Sequence, residues 1–154
     1  MKHIVKSLAS LALGTLACAA APSAFALTTE HASVCNPYGY TNQAGFFRGI
    51  NGLFNYSGSS NSIVCPVVRT IAAPSTGFQV WVDGTVGGSG TGTCTLYSYD
   101  YTGVYKGSVS VTVGPGFFDK LITLPQTAVP TFSSQSVYCY LPTSSGVYDV
   151  EPVQ

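Results

Sequence analysis

The stretch Phe78-Gln79-Val80-Trp81-Val82-Asp83-Gly84-Thr85-Val86 decides the fold class. Phe78, Val80 and Val82 fall on one phase of a two-residue period, and Gln79, Trp81 and Asp83 fall on the other. That is the pattern of an extended chain with one face in a core and the other toward solvent. β-Branched and aromatic residues dominate it, and these suit a pleated, half-buried surface.

Toward the C-terminus, the glycine-rich segment from Val86 to Gly92 is expected to connect a hairpin. Thr93 to Tyr101 repeats the alternation, with Cys94, Leu96 and Ser98 opposite Thr95, Tyr97 and Tyr99, and a turn is predicted at Asp100 to Gly103. Val109, Val111 and Val113 mark a further strand, as do Phe117 to Leu124, Val137 to Leu141, and a short last one from Gly146 to Val150. Toward the N-terminus, Ser62 to Arg69 is a β-branched run whose Pro66 predicts an edge or a bulge. Ser57 to Ser62 is a turn. Phe46 to Tyr56 is predicted as one strand softened by Gly49 and Gly52, and Leu27 to Gln43 as an irregular lead-in.

About eight or nine short strands, frequent Gly/Pro/Ser turns and no amphipathic helix predict an all-β chain, a two-sheet antiparallel β-sandwich of immunoglobulin-like or jelly-roll-like connectivity. No internal repeat is visible.

Ahead of this region, Lys2 and Lys6 precede an apolar run from Leu8 to Ala21, and Pro22 leads to the small-x-small triplet Ala24-Phe25-Ala26. This predicts a secretory signal peptide over 1–26 and a single domain over 27–154. Cys18 after Leu16 and Ala17 offers a lipoprotein alternative, but Thr15 stands where such signals carry Leu, and Ala24 and Ala26 form the better cleavage site. The apolar run is shorter than the roughly 18 to 20 residues that span a bilayer, so no transmembrane segment is expected. A secreted or periplasmic location follows.

Loss of Lys2 and Lys6 leaves Arg48, Arg69, Lys106 and Lys120 against Glu30, Asp83, Asp100, Asp119, Asp149 and Glu151, a net charge of about −2. A basic nucleic-acid footprint is absent. Of the 5 cysteines, Cys35, Cys65, Cys94 and Cys139 remain after cleavage. An even set in an exported chain predicts two disulfides. Of the three possible pairings, Cys35 with Cys65 and Cys94 with Cys139 is the one expected. Zinc is disfavoured, since no Cys-x-x-Cys knuckle occurs.

The contexts Val64-Cys65-Pro66-Val67, Cys94-Thr95-Leu96 and Tyr138-Cys139-Tyr140-Leu141-Pro142 resemble those of a group of small exported bacterial disulfide-bonded β-sandwich proteins of unassigned function. The resemblance implies a bacterial envelope or secreted location and carries no catalytic residues with it.

The chain offers little for catalysis. His31 is the one histidine beyond the signal, and it lies in the lead-in, away from any nucleophile pattern. Gly87-Gly88-Ser89-Gly90-Thr91 ends in Thr where a nucleophile elbow needs Gly. Asp83-Gly84 and Asp100-Tyr101-Thr102-Gly103 are both expected to be turns rather than a glycosidase pair. Asp149 and Glu151 share one side of the last strand and would bind Ca²⁺ only if Asp119 or backbone carbonyls joined them. No cofactor is expected.

Tyrosines stand out. Tyr97 and Tyr99 oppose Cys94 and Leu96, and Tyr138 and Tyr140 oppose Cys139 and Leu141. With the cysteines inward, all four rings point outward, and Trp81 is expected to extend the same face. Such rings suit stacking on sugars or packing in a protein interface. The expectation is therefore a non-catalytic exported protein, a binding or structural component of the cell envelope or extracellular space. Its partner would be a glycan or surface polymer, or another envelope protein. The specific alternatives are a carbohydrate-binding module-like protein, in which Trp81, Tyr97, Tyr99, Tyr138 and Tyr140 stack on sugar, and a small secreted hydrolase.

Overall fold

The structure is a computed structural model that describes residues 30–39, 43–69 and 76–153. The signal peptide and its cleavage site lie outside the described residues. Among the described residues, eleven strands form: β1 (Glu30–His31), β2 (Asn36–Pro37), β3 (Phe46–Gly49), β4 (Gly52–Asn55), β5 (Asn61–Val67), β6 (Phe78–Val86), β7 (Gly92–Asp100), β8 (Tyr105–Val113), β9 (Gly116–Leu124), β10 (Ser133–Leu141) and β11 (Ser145–Val153). The described helical segments are three-residue 3₁₀ turns.

Two antiparallel sheets face each other. Sheet A runs β3-β4-β11-β6-β9, with β1 paired to the second half of β11, and sheet B runs β2-β5-β10-β7-β8. The pairings nest around the β7–β8 turn: β7 with β8, β6 with β9, β5 with β10 and β4 with β11. A long hairpin wrapped over itself in this way is a jelly roll, not an immunoglobulin sandwich. Inward positions of both sheets close the core, with Leu53, Ile63, Phe78, Val80, Val82, Leu96, Ile122, Leu124, Val137, Leu141 and Val147 all buried.

Both disulfides form as expected, Cys35–Cys65 and Cys94–Cys139. Cys94 and Cys139 sit directly opposite each other on β7 and β10. Cys35 precedes Asn36, whose partner on β5 is Val64, so the first disulfide also closes within sheet B. Pro66 is exposed on β5 beyond the reach of β2, which pairs only with Val64 and Ile63, and there its missing N–H costs no ladder bond to β2.

Several local expectations change. Phe46 to Tyr56 is not one strand but the hairpin β3–β4, turned at Ile50–Asn51, with Gly52 at φ 138°. That value suits glycine alone. The Val86–Gly92 segment is not a hairpin connection, because β6 and β7 belong to different sheets; it is a corner, held by the Gly87 amide donating to Ser145 Oγ at 3.0 Å. Asp83-Gly84 is mid-strand rather than a turn. Gly84 is required there because a Cβ would lie 2.3 Å from the Gly146 carbonyl oxygen and 2.5 Å from the Phe118 ring. The last strand runs nine residues rather than five.

Buried Asn55, at the end of β4, locks the β10–β11 corner. Its amide donates to the carbonyls of Ser59 at 2.8 Å and of Leu141 and Pro142 at 3.1 Å, while its own oxygen accepts the Ser57 amide at 3.0 Å.

Candidate functional site

Strands β7 and β10 are neighbours in sheet B, and their inward residues Cys94, Leu96, Val137 and Cys139 are fully buried. The alternation that sends these inward sends Tyr97, Tyr99, Tyr138 and Tyr140 outward. Register then places Ser136 beside Tyr97 and Thr95 beside Tyr138, so hydroxyls interleave with rings. The Tyr97 and Tyr138 rings meet at 6.4 Å, nearly perpendicular at 87°, and Tyr97 and Tyr99 lie 6.4 Å apart with planes 21° from parallel.

Two further tyrosines complete the cluster. Tyr38, just after β2, stands edge-on to Tyr138 at 5.2 Å. Tyr105 of β8 lies 6.0 Å from Tyr99 and 6.4 Å from Tyr97. Sequence alternation alone groups Tyr105 with inward Val109 and Val111. A bulge at Lys106, where Ser98 pairs with Gly107 but Tyr99 pairs with Tyr105, reverses its phase. Tyr38 lies in a segment expected to be irregular, but its closeness to Cys35 is a signal that the disulfide holds it against sheet B.

Tyr38, Val64, Tyr97, Tyr99, Ser136 and Tyr138 line a shallow groove of about 370 Å³. The outward positions beside it on β8 are Ser108 and Ser110, and Thr95 and Ser110 share a hydrogen bond at 2.7 Å. The Tyr138 hydroxyl bonds to Ser62. Tyr140 lies farther along β10, opposite Ser62 and Thr93, half exposed and away from the cluster.

At the other end of the face, Asp100 forms the expected turn. It accepts from the amides of Thr102 at 2.9 Å and Val104 at 3.0 Å, and pairs with Lys106 at 2.8 Å. Lys106 first, then Thr102, holds its carboxyl well below the ordinary carboxylate range. Among the described residues, the groove itself is walled by rings and hydroxyls without a charged side chain. Such a surface stacks on flat faces and exchanges hydrogen bonds with hydroxyl groups.

Trp81 does not extend this face. It belongs to β6 in sheet A and points outward on the opposite side of the sandwich, half buried between Leu121 of β9 and Glu151 of β11. One step along, Asp119, Asp83, Asp149 and His31 stand in register across β9, β6, β11 and β1. Burial first, and then the facing Asp119 carboxyl, which shares a hydrogen bond with it, pushes the Asp83 carboxyl up to about 6. His31 Nδ1 accepts the Ser33 amide at 3.1 Å. The calcium arrangement is not assembled: among the described residues, no group of three or more His, Cys, Asp or Glu side chains converges to hold a metal ion.

Beside the acids, a bulge at β11 between Val147 and Asp149 turns Tyr148 outward as well. Tyr148 meets Phe54 at 5.6 Å and Phe117 at 6.1 Å, and Phe54 meets Tyr56 at 6.1 Å. Alternation does not reveal this second aromatic row, because its members come from the β3–β4 hairpin, from the start of β9 in the same sheet, and from a bulge in β11.

No family model matches the chain, and no curated protein sequence matches it. Solved structures do. The CBM36-1 domain, a carbohydrate-binding module, of a multidomain xylanase from the hindgut metagenome of Trinervitermes trinervoides superposes with a TM-score of 0.51 at 11% identity, covering 84% of this chain and 98% of that one. TmCBM61, solved in complex with β-1,4-galactotriose, matches with a TM-score of 0.45 at 15% identity, covering 86% of this chain and 89% of that one. This chain is a small, disulfide-bonded all-β sandwich, and at 11% identity its likeness to the CBM36-1 domain is one of fold.

Proposed function

We propose that this is an exported, non-catalytic protein that binds a polysaccharide through the outer face of sheet B. The observation that carries the proposal is the cluster of Tyr38, Tyr97, Tyr99, Tyr105 and Tyr138, with rings 5.2 to 6.4 Å apart, beside a groove walled by rings and hydroxyls. All five rings are anchored on or beside the strands of one sheet, so they lose little conformational freedom when a ligand covers them. The expected export signal and the two disulfides suit work outside the cytoplasm. The fold shared with the CBM36-1 domain supports the same reading.

Affinity electrophoresis against a panel of soluble polysaccharides tests it. At least one polymer should retard the oxidised protein. Replacing Tyr97 and Tyr99 by Ala should weaken the affinity behind that retardation by roughly fivefold to a hundredfold or more, at about 0.5 to 1.5 kcal/mol per ring. Trp81→Ala, on the far side of the sandwich, should leave it unchanged. Absence of retardation on every polymer would sink the proposal, as would retardation indifferent to the tyrosines.

A further inference from the structure

The outer face of sheet A is chemically unlike that of sheet B. Phe117 and Ile50 are 84% and 91% exposed, and with Phe54 and Tyr148 they border a depression of about 680 Å³ that His31 and Asp149 close on one side. Monomeric proteins rarely leave contiguous apolar surface of this kind uncovered. Immediately beside it, Asp119, Asp83 and Asp149 oppose one another across three neighbouring strands, with Glu151 one step along. Like charges directly opposite across strands are destabilising. The outward positions of β6, β9 and β11 supply no lysine or arginine to offset the three aspartates: Lys120 lies on the inward phase of β9, opposite buried Val82.

We propose that this face docks a basic protein surface, whose arginine or lysine side chains meet the carboxylate row while its apolar side chains cover Phe117, Tyr148 and Phe54. Charge complementarity selects the occupant. The carboxylates need cations spaced across strands about 4.8 Å apart. The adjoining rings of Phe54, Phe117 and Tyr148 accept arginine over their faces. Phenylalanine and isoleucine, lacking polar edges, suit apolar protein side chains better than hydroxyl-rich sugar. This surface lies opposite the tyrosine groove, so the protein would hold a polymer on one side and a polypeptide on the other. The docking proposal does not depend on what sheet B binds.

The chain contains one tryptophan, Trp81, and it lies in this face, so its fluorescence reports here and not on sheet B. The probe is a synthetic peptide of alternating arginine and leucine, titrated into the oxidised protein. Saturable change in Trp81 emission is expected, absent with the matching glutamate-leucine peptide. The affinity should fall at least tenfold in the Asp83→Asn, Asp149→Asn double variant and separately in Phe117→Ser, while Tyr97→Ala leaves it unchanged. Because Asp→Asn relieves repulsion and Phe117 is exposed, these variants should fold, which circular dichroism checks.

A flat titration overturns the proposal, as does binding unaffected by either set of substitutions. A response to chitosan oligomers without one to the peptide would make the face a cationic-sugar site. A response to Ca²⁺ alone that blocks the peptide would make the carboxylate row a metal site. Either would replace the protein partner.

Discussion

Asp83 is the residue at which the physical cost is easiest to measure. Its folded carboxyl is pushed up to about 6, against an ordinary 3.8, by burial and then by Asp119, Glu151 and Asp149. The folded state therefore holds this proton more tightly than the unfolded chain between pH 3.8 and about 6. The associated stability is fully present below that window, is lost as pH rises through it, and leaves a constant penalty above. Asp83→Asn removes the group that ionises. At pH 7.5 the variant should be more stable by about 1 kcal/mol, allowing for solvent screening at a half-buried site. At pH 3.5 the difference should vanish. Urea denaturation at both values measures this, and an equal gain at both would show that repulsion at Asp83 is not the cause.

Among the strands, the legible parts were those whose neighbours on both faces resemble the average. The alternation of Phe78 to Val86 identified a strand and its inward face, and the phase of Cys94, Leu96, Tyr97 and Tyr99 sent the right rings outward. What alternation cannot show is which strands share a sheet. Trp81 and Tyr97 both point outward, yet on opposite sides of the sandwich, because the Val86–Gly92 corner changes sheets where a hairpin was expected. Nor can it show bulges, which reverse phase at Tyr105 and bring Tyr148 out beside Asp149. Gly84 was misjudged for a related reason. Beside Asp it suggested a turn, but its cause is non-local: the Gly146 carbonyl and the Phe118 ring occupy the space of a Cβ. Gly84→Ala should accordingly destabilise by about 1 to 3 kcal/mol, the range for an overfilled core. Calorimetry checks this. If the cost is only a few tenths, β6 can shift at that point and the close approach is not required.

At the scale of the whole molecule, nesting β4–β11, β5–β10 and β6–β9 around the β7–β8 turn makes most of the pairing non-local, and such topologies pay loop closure before contacts repay it. The disulfides act on that cost. They span 30 and 45 residues, both lie within sheet B, and neither joins the two sheets, so the sandwich interface rests on apolar burial and on cross-sheet hydrogen bonds such as that from Asn55 to the Leu141 carbonyl. The two covalent loops, 35–65 and 94–139, do not overlap, so on the chain-entropy model their effects should add, at about 3.5 and 4 kcal/mol. Within one disulfide the reverse holds, because losing either sulfur breaks the same link. Cys94→Ala and Cys139→Ala should therefore cost nearly the same singly as together, whereas removing both disulfides should cost the sum of removing each. Alanine is the better replacement here, since serine would bury a hydroxyl at fully enclosed positions. Denaturant titration of the single, double and quadruple variants decides it: additive losses at Cys94 and Cys139 would contradict their pairing, and a quadruple variant no worse than either double would mean that the two loops constrain one shared unfolded structure.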